Sequence, residues 1–176
     1  MLYLDFAASS PLIPSVKEIL IKTLDEEFAN PSSAHRLGRD SSEKIEQVRE
    51  KIADSLGAYK SEIIFTSGAS ESNNLAIKGY VLANQKKGKH IITSSIEHKC
   101  ILSICHFLEK EHGYEITYIA PKKNGIIDAN DVIKAIRPDT VLVSIMHVNN
   151  ELGSIQPITV IGQACFERNI KFQDKK

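Results

Sequence analysis

Three short polar stretches carry most of the chemistry-bearing side chains in this sequence: TSGASESNN (Thr66–Asn74), SSIEHKC (Ser94–Cys100) and MHVNNELG (Met146–Gly153). In the first, Gly68 permits a tight turn, and the amides of Ala69, Ser70 and Glu71 would open a helix. Free N–H groups at the positive end of a helix dipole, with the Ser70 hydroxyl beside them, suit a phosphate. A hydroxyl N-cap with an acid in the first turn gives the same pattern without any ligand, and on this stretch alone that reading is at least as strong. No Lys-Ser or Lys-Thr pair follows the glycine, so this is not a Walker A loop.

His98 stands between Glu97 and Lys99. A lone histidine is more often a surface or capping residue than a catalyst. The flanking charges place this backbone near solvent, where the ring can face a cleft. Cys105-His106 matches no zinc spacing, and Cys100 and Cys105 read as ordinary small helix residues. In the third stretch, Asn149-Asn150 with Gly153 also describes a plain turn. A functional reading requires an amide that bonds a planar, hydroxyl-bearing ligand.

The elements that must position these stretches alternate along the chain. Helical periodicity covers Pro14–Phe28, Asp40–Leu56, Glu71–Lys87, Lys99–His112, Asp128–Ile136 and Ile155–Arg168. Short β-branched runs at Glu62–Thr66, His90–Ser94, Glu115–Ala120, Thr140–Ile145 and Ile170–Phe172 read as strands. Solid apolar strands, each followed by a helix, predict an α/β fold with a mostly parallel sheet covered on both faces. In such a sheet ligands bind beyond the carboxyl ends of the strands. All three polar stretches follow predicted strands.

Composition narrows the function. The 176 residues balance 22 Lys and Arg against 22 Asp and Glu. That balance disfavours a partner held by nonspecific charge, so no nucleic acid is expected. No apolar run is long enough to span a bilayer, and Met1-Leu2-Tyr3-Leu4-Asp5 lacks a basic region before an apolar core. No membrane association is expected. Three cysteines are too few and odd for a disulfide framework, which places the protein in a reducing, cytoplasmic compartment.

YLDFAASSPL, NPSSAHRLG, EIIFTSGASESNNLAIKG, GKHIITSSIEHKCIL, YEITYIAPKKNGIID and TVLVSIMHVNNELGSIQPI follow one another in the chain. In order and spacing they resemble the amino-terminal half of the cysteine desulfurases, enzymes of the class V aminotransferase family that use pyridoxal 5′-phosphate (PLP). EHK and HVNNE-G resemble the branch serving general iron–sulfur cluster assembly. The resemblance implies a three-layer PLP-dependent transferase large domain of the aspartate aminotransferase type, incomplete at the carboxyl end. Residues 1–176 would form its amino-terminal part, with the small carboxyl-terminal domain absent.

It also implies roles. Ala69 and Ser70 match the phosphate-binding pair, where threonine is usual. His98 matches the histidine that stacks on the pyridine ring and is a candidate acid–base group. Asn149 matches the asparagine beside the ring hydroxyl. The implied substrate is L-cysteine, converted to L-alanine with sulfur left as an enzyme persulfide. Implied partners are sulfur-acceptor or scaffold proteins and a second copy in a homodimer, or here a complementing fragment.

The sequence departs from the family near its end. The family continues with His-x-Asp-Ala-x-Gln and then a Ser-x-His-Lys stretch bearing the Schiff-base lysine, whereas this chain reads Ile170-Lys171-Phe172-Gln173-Asp174-Lys175-Lys176. Asp174 falls one place early, Lys175 and Lys176 lie outside the lysine's context, and none of Cys100, Cys105 or Cys165 stands at the persulfide position. The expectation is half of a desulfurase that is inactive alone. The alternatives are a noncatalytic remnant or interaction module and, more weakly, another class V aminotransferase or lyase. In the family's sheet the first strand lies beside the last. Glu62–Thr66 is therefore expected to lack its neighbour, the helices around Ile45–Leu56 and Leu75–Leu82 to be partly formed, and the isolated chain to aggregate or require a partner.

Overall fold

The run His90–Ser94 is buried at all five positions, and in the computed structural model, which describes residues 2–168, it forms the central strand β1. It pairs in parallel with β2 (Glu115–Ile119) on one side and β3 (Thr140–Ser144) on the other, giving the order β2-β1-β3. Alternation along β1 then separates two cores. Ile91, in register with Ile116 and Leu142, faces a cluster with Ile77, Val81, Ile101, Ile104 and Leu108. Ile92, in register with Val143, faces Ile127, Val132, Ile161 and Cys165.

Helices α3 (Ala69–Ala83) and α4 (Lys99–His112) cover the first face, and α5 (Ala129–Ala135) and α6 (Ile158–Glu167) cover the second. This is the expected three-layer arrangement around a parallel sheet. Tyr114 fastens one end of it, its buried hydroxyl donating to the Val81 carbonyl at 2.7 Å. The predicted strands at residues 90, 115 and 140 and the helix Lys99–His112 agree with these elements to within a residue. The last helix begins three residues later than its periodicity suggests, because Ile155 pairs with Val148 and Pro157 takes the N-cap position.

The chain divides into two compact units after Phe65. The first contains α1 (Pro14–Glu26) and α2 (Arg36–Leu56). His35 caps α2, its Nδ1 accepting from the Gly38 amide at 3.2 Å, and Gly57 ends the helix in the left-handed conformation. Both α2 and α3 are complete helices, contrary to the expectation that they would be partly formed. α1 buries none of its residues, and along the apolar stripe of α2 Val48 and Leu56 stay exposed.

One predicted strand is absent. Lys60–Glu62 is a 3-10 turn, Ile63 after it is extended, and Ile63–Phe65 has no strand partner among the described residues. Ile64 and Phe65 are 66% and 48% exposed. A strand exists only through the hydrogen bonds of a neighbour, and no described strand is paired with this run. Arg49 holds the segment instead, donating to the Ile63 carbonyl and stacking over the Phe65 ring at 4.7 Å. The run Ile170–Phe172, with Asp174, Lys175 and Lys176, lies outside the described residues.

His90 gives the sheet a pH dependence. Its ring is fully buried, with Nδ1 2.7 Å from the Thr140 hydroxyl and Nε2 2.8 Å from that of Thr117. Burial, assisted by the nearby Arg137 charge, lowers its pKa below the ordinary 6.5. A depressed folded-state pKa contributes stability that is present above the unfolded value and lost as the pH falls through the folded one. Urea unfolding should therefore show stability declining as the pH drops below about 6.5, and His90→Gln should flatten that decline. An equal slope in the variant would remove His90 as its cause.

Candidate functional site

The carboxyl ends of β1 and β3 open into two loops, and side chains hold those loops together. Ser94 closes β1, and its hydroxyl donates to Glu97 Oε1 at 3.0 Å. The same carboxylate oxygen accepts the Met146 amide, just past β3, at 2.6 Å. Glu97 is 8% exposed, and burial raises its pKa against the opposing effect of these two donors. The sequence reading took Glu97 as a sign of nearby solvent, and here it is corrected. An acid is kept inside because an unpartnered amide at that place would cost about 1–3 kcal/mol.

Asn149 makes the second tie. Its Nδ2 donates to the Ile96 carbonyl at 2.9 Å, and its Oδ1 accepts the amides of Glu151 and Leu152 at 2.9 and 2.8 Å. The side chain is 4% exposed. It thus builds the turn that its sequence suggests while bracing the neighbouring loop. Its remaining Nδ2 hydrogen faces only the Met146 sulfur at 3.4 Å, a weak acceptor. That hydrogen is what Asn149 has left to offer a ligand.

Gln156 fixes the far end of the same loop. Its Oε1 accepts from the Ile127 amide at 2.9 Å, and its Nε2 donates to the Gly125 carbonyl at 2.9 Å. Gly125 has φ +74°, the left-handed conformation that favours glycine, while a Cβ there would meet only the movable end of the Leu152 side chain at 2.8 Å.

His98, exposed at the surface, is the N-cap of α4. Its Nδ1 accepts from the Cys100 amide at 3.2 Å, and Nε2 has no partner among the described residues. At the start of α3, Gly68 caps without a side chain, and the amides of Ala69 and Ser70 have no acceptor among the described residues. Glu71 folds back onto Ser67, accepting from its amide at 2.6 Å and its hydroxyl at 2.7 Å, which lowers the Glu71 pKa. The hydroxyl N-cap expected as the ligand-free reading is therefore not formed, because Gly68 takes the cap position, and only its first-turn acid, Glu71, has a counterpart. The acid serves the Ser67 amide, and the Ala69 and Ser70 amides stay open to an anion.

A line of hydrogen bonds brings the three stretches together. Asn73, on α3, donates to Cys100 Sγ on α4 at 3.1 Å. Cys100 adjoins His98, and Glu97 and Asn149 carry the connection to the loop beyond β3. Reading the residues one stretch at a time missed Glu97, Asn73, Gln156 and Cys100. For Cys100 the signal was present, since position i+2 from an N-cap meets the capping side chain. Cys105 lies on a helix as expected, and the structure places it in the core, fully buried, where burial pushes its thiol up to about 11.

The donor set suits a ligand with an anionic end and a planar body. Two free amides and a hydroxyl lie at the start of α3, an exposed imidazole caps α4, and one amide hydrogen remains at Asn149. Among the described residues no cluster of His, Cys, Asp or Glu is arranged to hold a metal, and no helix is long and apolar enough to cross a membrane.

Known proteins share this arrangement of sequence and fold. The aminotransferase class V family matches residues 2–173. The chain is similar to the cysteine desulfurase IscS of Dictyoglomus turgidum, 52% identical over 170 residues that make up 97% of this chain and 43% of the relative. It is 53% identical to the IscS of Salmonella paratyphi B over 172 residues, 96% of this chain and 42% of that one. A solved structure of SspA in complex with cysteine superposes with a TM-score of 0.87 at 52% identity, over 95% of this chain and 48% of the other. The chain thus spans less than half the length of the relatives it matches. With the family match running almost end to end and over half the residues identical to these relatives, the chain belongs to the class V aminotransferase family.

Proposed function

We propose that these residues form the amino-terminal part of a PLP-dependent cysteine desulfurase, which converts L-cysteine to L-alanine and passes the sulfur as a persulfide toward iron–sulfur cluster assembly. The observation that carries the proposal is the joining of the three polar stretches by side-chain hydrogen bonds, each stretch offering a group that suits one part of PLP. The cysteine desulfurase relatives, more than half identical over nearly the whole chain, support it.

In this reading the amides of Ala69 and Ser70 and the Ser70 hydroxyl hold the phosphate. Serine keeps the hydroxyl of the usual threonine. His98 lies against the pyridine ring and moves a proton at Nε2. Asn149 orients the ring hydroxyl through its second Nδ2 hydrogen. PLP, when bound, supplies an electron sink that labilises bonds at the substrate α-carbon. The 176 residues contain no Ser-x-His-Lys stretch, so the covalent lysine and the thiol that receives sulfur come from outside them. That source is a further polypeptide segment or a complementing chain, and the sulfur acceptors and the homodimer belong to the assembled enzyme. Its compartment is the cytoplasm. A noncatalytic remnant is the second reading, favoured by the exposed apolar side chains of α1.

Two outcomes follow. The 176-residue chain alone should bind PLP weakly through its phosphate and form no covalent adduct. Mass spectrometry after borohydride reduction should find no PLP mass on any lysine, and an adduct at one defined lysine together with turnover would overturn this. In an enzyme completed by the missing segment, His98→Ala should lower kcat by about 10²-fold or more while PLP retention changes much less, because an acid–base group acts in the chemical step. Unchanged kcat would demote His98 to a helix cap.

A further inference from the structure

The ring of His98 turns back onto its own helix. The Cys100 amide donates to Nδ1 at 3.2 Å, and Cys100 Sγ lies 3.0 Å from the same nitrogen. A ring nitrogen that accepts from a backbone N–H carries no proton, because the amide offers only a hydrogen along that line. In the neutral ring the proton then resides on Nε2, the nitrogen without a partner among the described residues. The sulfur acts in the same sense. Asn73 Nδ2 donates to Sγ at 3.1 Å, which occupies the acceptor side of the thiol and leaves its S–H for Nδ1. Asn73 and Ser70 share α3, so one hydrogen-bonded line runs from the helix of the phosphate stretch to the imidazole.

We propose that Cys100 is a positioning residue for His98. Its amide and thiol together reserve Nδ1 as an acceptor, so that the outward nitrogen, Nε2, meets a ligand as a hydrogen donor. The mechanistic part rests on the reading of His98 as the acid–base group. On that reading the neutral ring enters as an acid, not as a base. To act as a base at Nε2, the ring must first carry its proton on Nδ1, which breaks the bond from the Cys100 amide and uncaps α4. On sequence alone Cys100 reads as an ordinary helix residue, and the contact with Nδ1 gives it this role.

The test is nitrogen-15 NMR of histidine side chains in the 176-residue chain at about pH 8, where ordinary imidazoles are neutral. His98→Gln identifies the signals of His98 among the six histidines. The expected pattern is an unprotonated Nδ1 and a protonated Nε2, without the averaging of a free ring. Cys100→Ser, which keeps a donor at the same place, should preserve it. Cys100→Ala should move the tautomer ratio several-fold toward that of free imidazole. Averaged shifts or an Nδ1–H tautomer in the unsubstituted chain would overturn the proposal, and an unchanged ring in Cys100→Ala would overturn the part given to the thiol. Adding PLP to the same sample examines the functional reading separately. A change confined to His98 supports that reading, whereas no change at millimolar PLP counts against it and leaves the tautomer result standing.

Discussion

Strand β1 is buried on both faces and paired along both edges, so each polar group it carries must be satisfied inside the protein. His90 meets this constraint with two threonine hydroxyls from the flanking strands, and Thr93 donates to the Ser144 carbonyl at 2.9 Å. Ser94, the last residue, reaches past the strand to Glu97. The two cores follow from the same strand, because Ile91 and Ile92 point to opposite faces and each collects its own pair of helices. The site begins where β1 runs out of strand partners and side chains take over its hydrogen bonding.

That handover explains how loops can hold chemical groups in fixed positions. The Glu97 carboxylate and the Asn149 amide each bridge the loop after β1 to the loop after β3, and both are buried. Removing either leaves backbone groups unpartnered, at about 1–3 kcal/mol apiece. His98 and the Asn149 turn therefore inherit their positions from the sheet. Ser70 depends on a different support, the start of α3, and Asn73 with Cys100 ties that helix to α4. The side chains proposed to touch ligand are few, and most of the hydrogen bonding around them serves to hold backbone.

The first unit follows another logic. His35 and Gly57 cap the two ends of α2, yet α1 buries no residue and Val48 of α2 stays exposed. Local signals suffice to make such helices, since caps and periodicity act within a turn or two. They do not by themselves supply a core. Ile63–Phe65 shows the same separation between local pattern and tertiary outcome. It has the composition of a strand but no strand among the described residues to pair with.

The sequence by itself determined the elements and the places where chemistry would gather. Periods of 2 and 3.6 and polar stretches after apolar runs are short-range features, so they survive being read along a line. The family resemblance could likewise be read there, because it resides in motifs and their spacing. Only the tertiary structure decided that Glu97 is buried, that Asn149 spends most of its amide on backbone, that Cys100 meets His98 Nδ1, and that residues 62–66 form no strand. The Glu97 bond to Met146 and the Asn149 bond to Ile96 each join residues far apart in the chain. Residues 62–66 lack a partner strand among the described residues, and the two Oδ1 bonds of Asn149 are local to its turn. The Cys100 contact is local but depends on a ring orientation that only the folded cap defines. A hydrogen bond between distant residues leaves no periodic mark in either segment, and its existence is settled only when the sheet brings the two ends together.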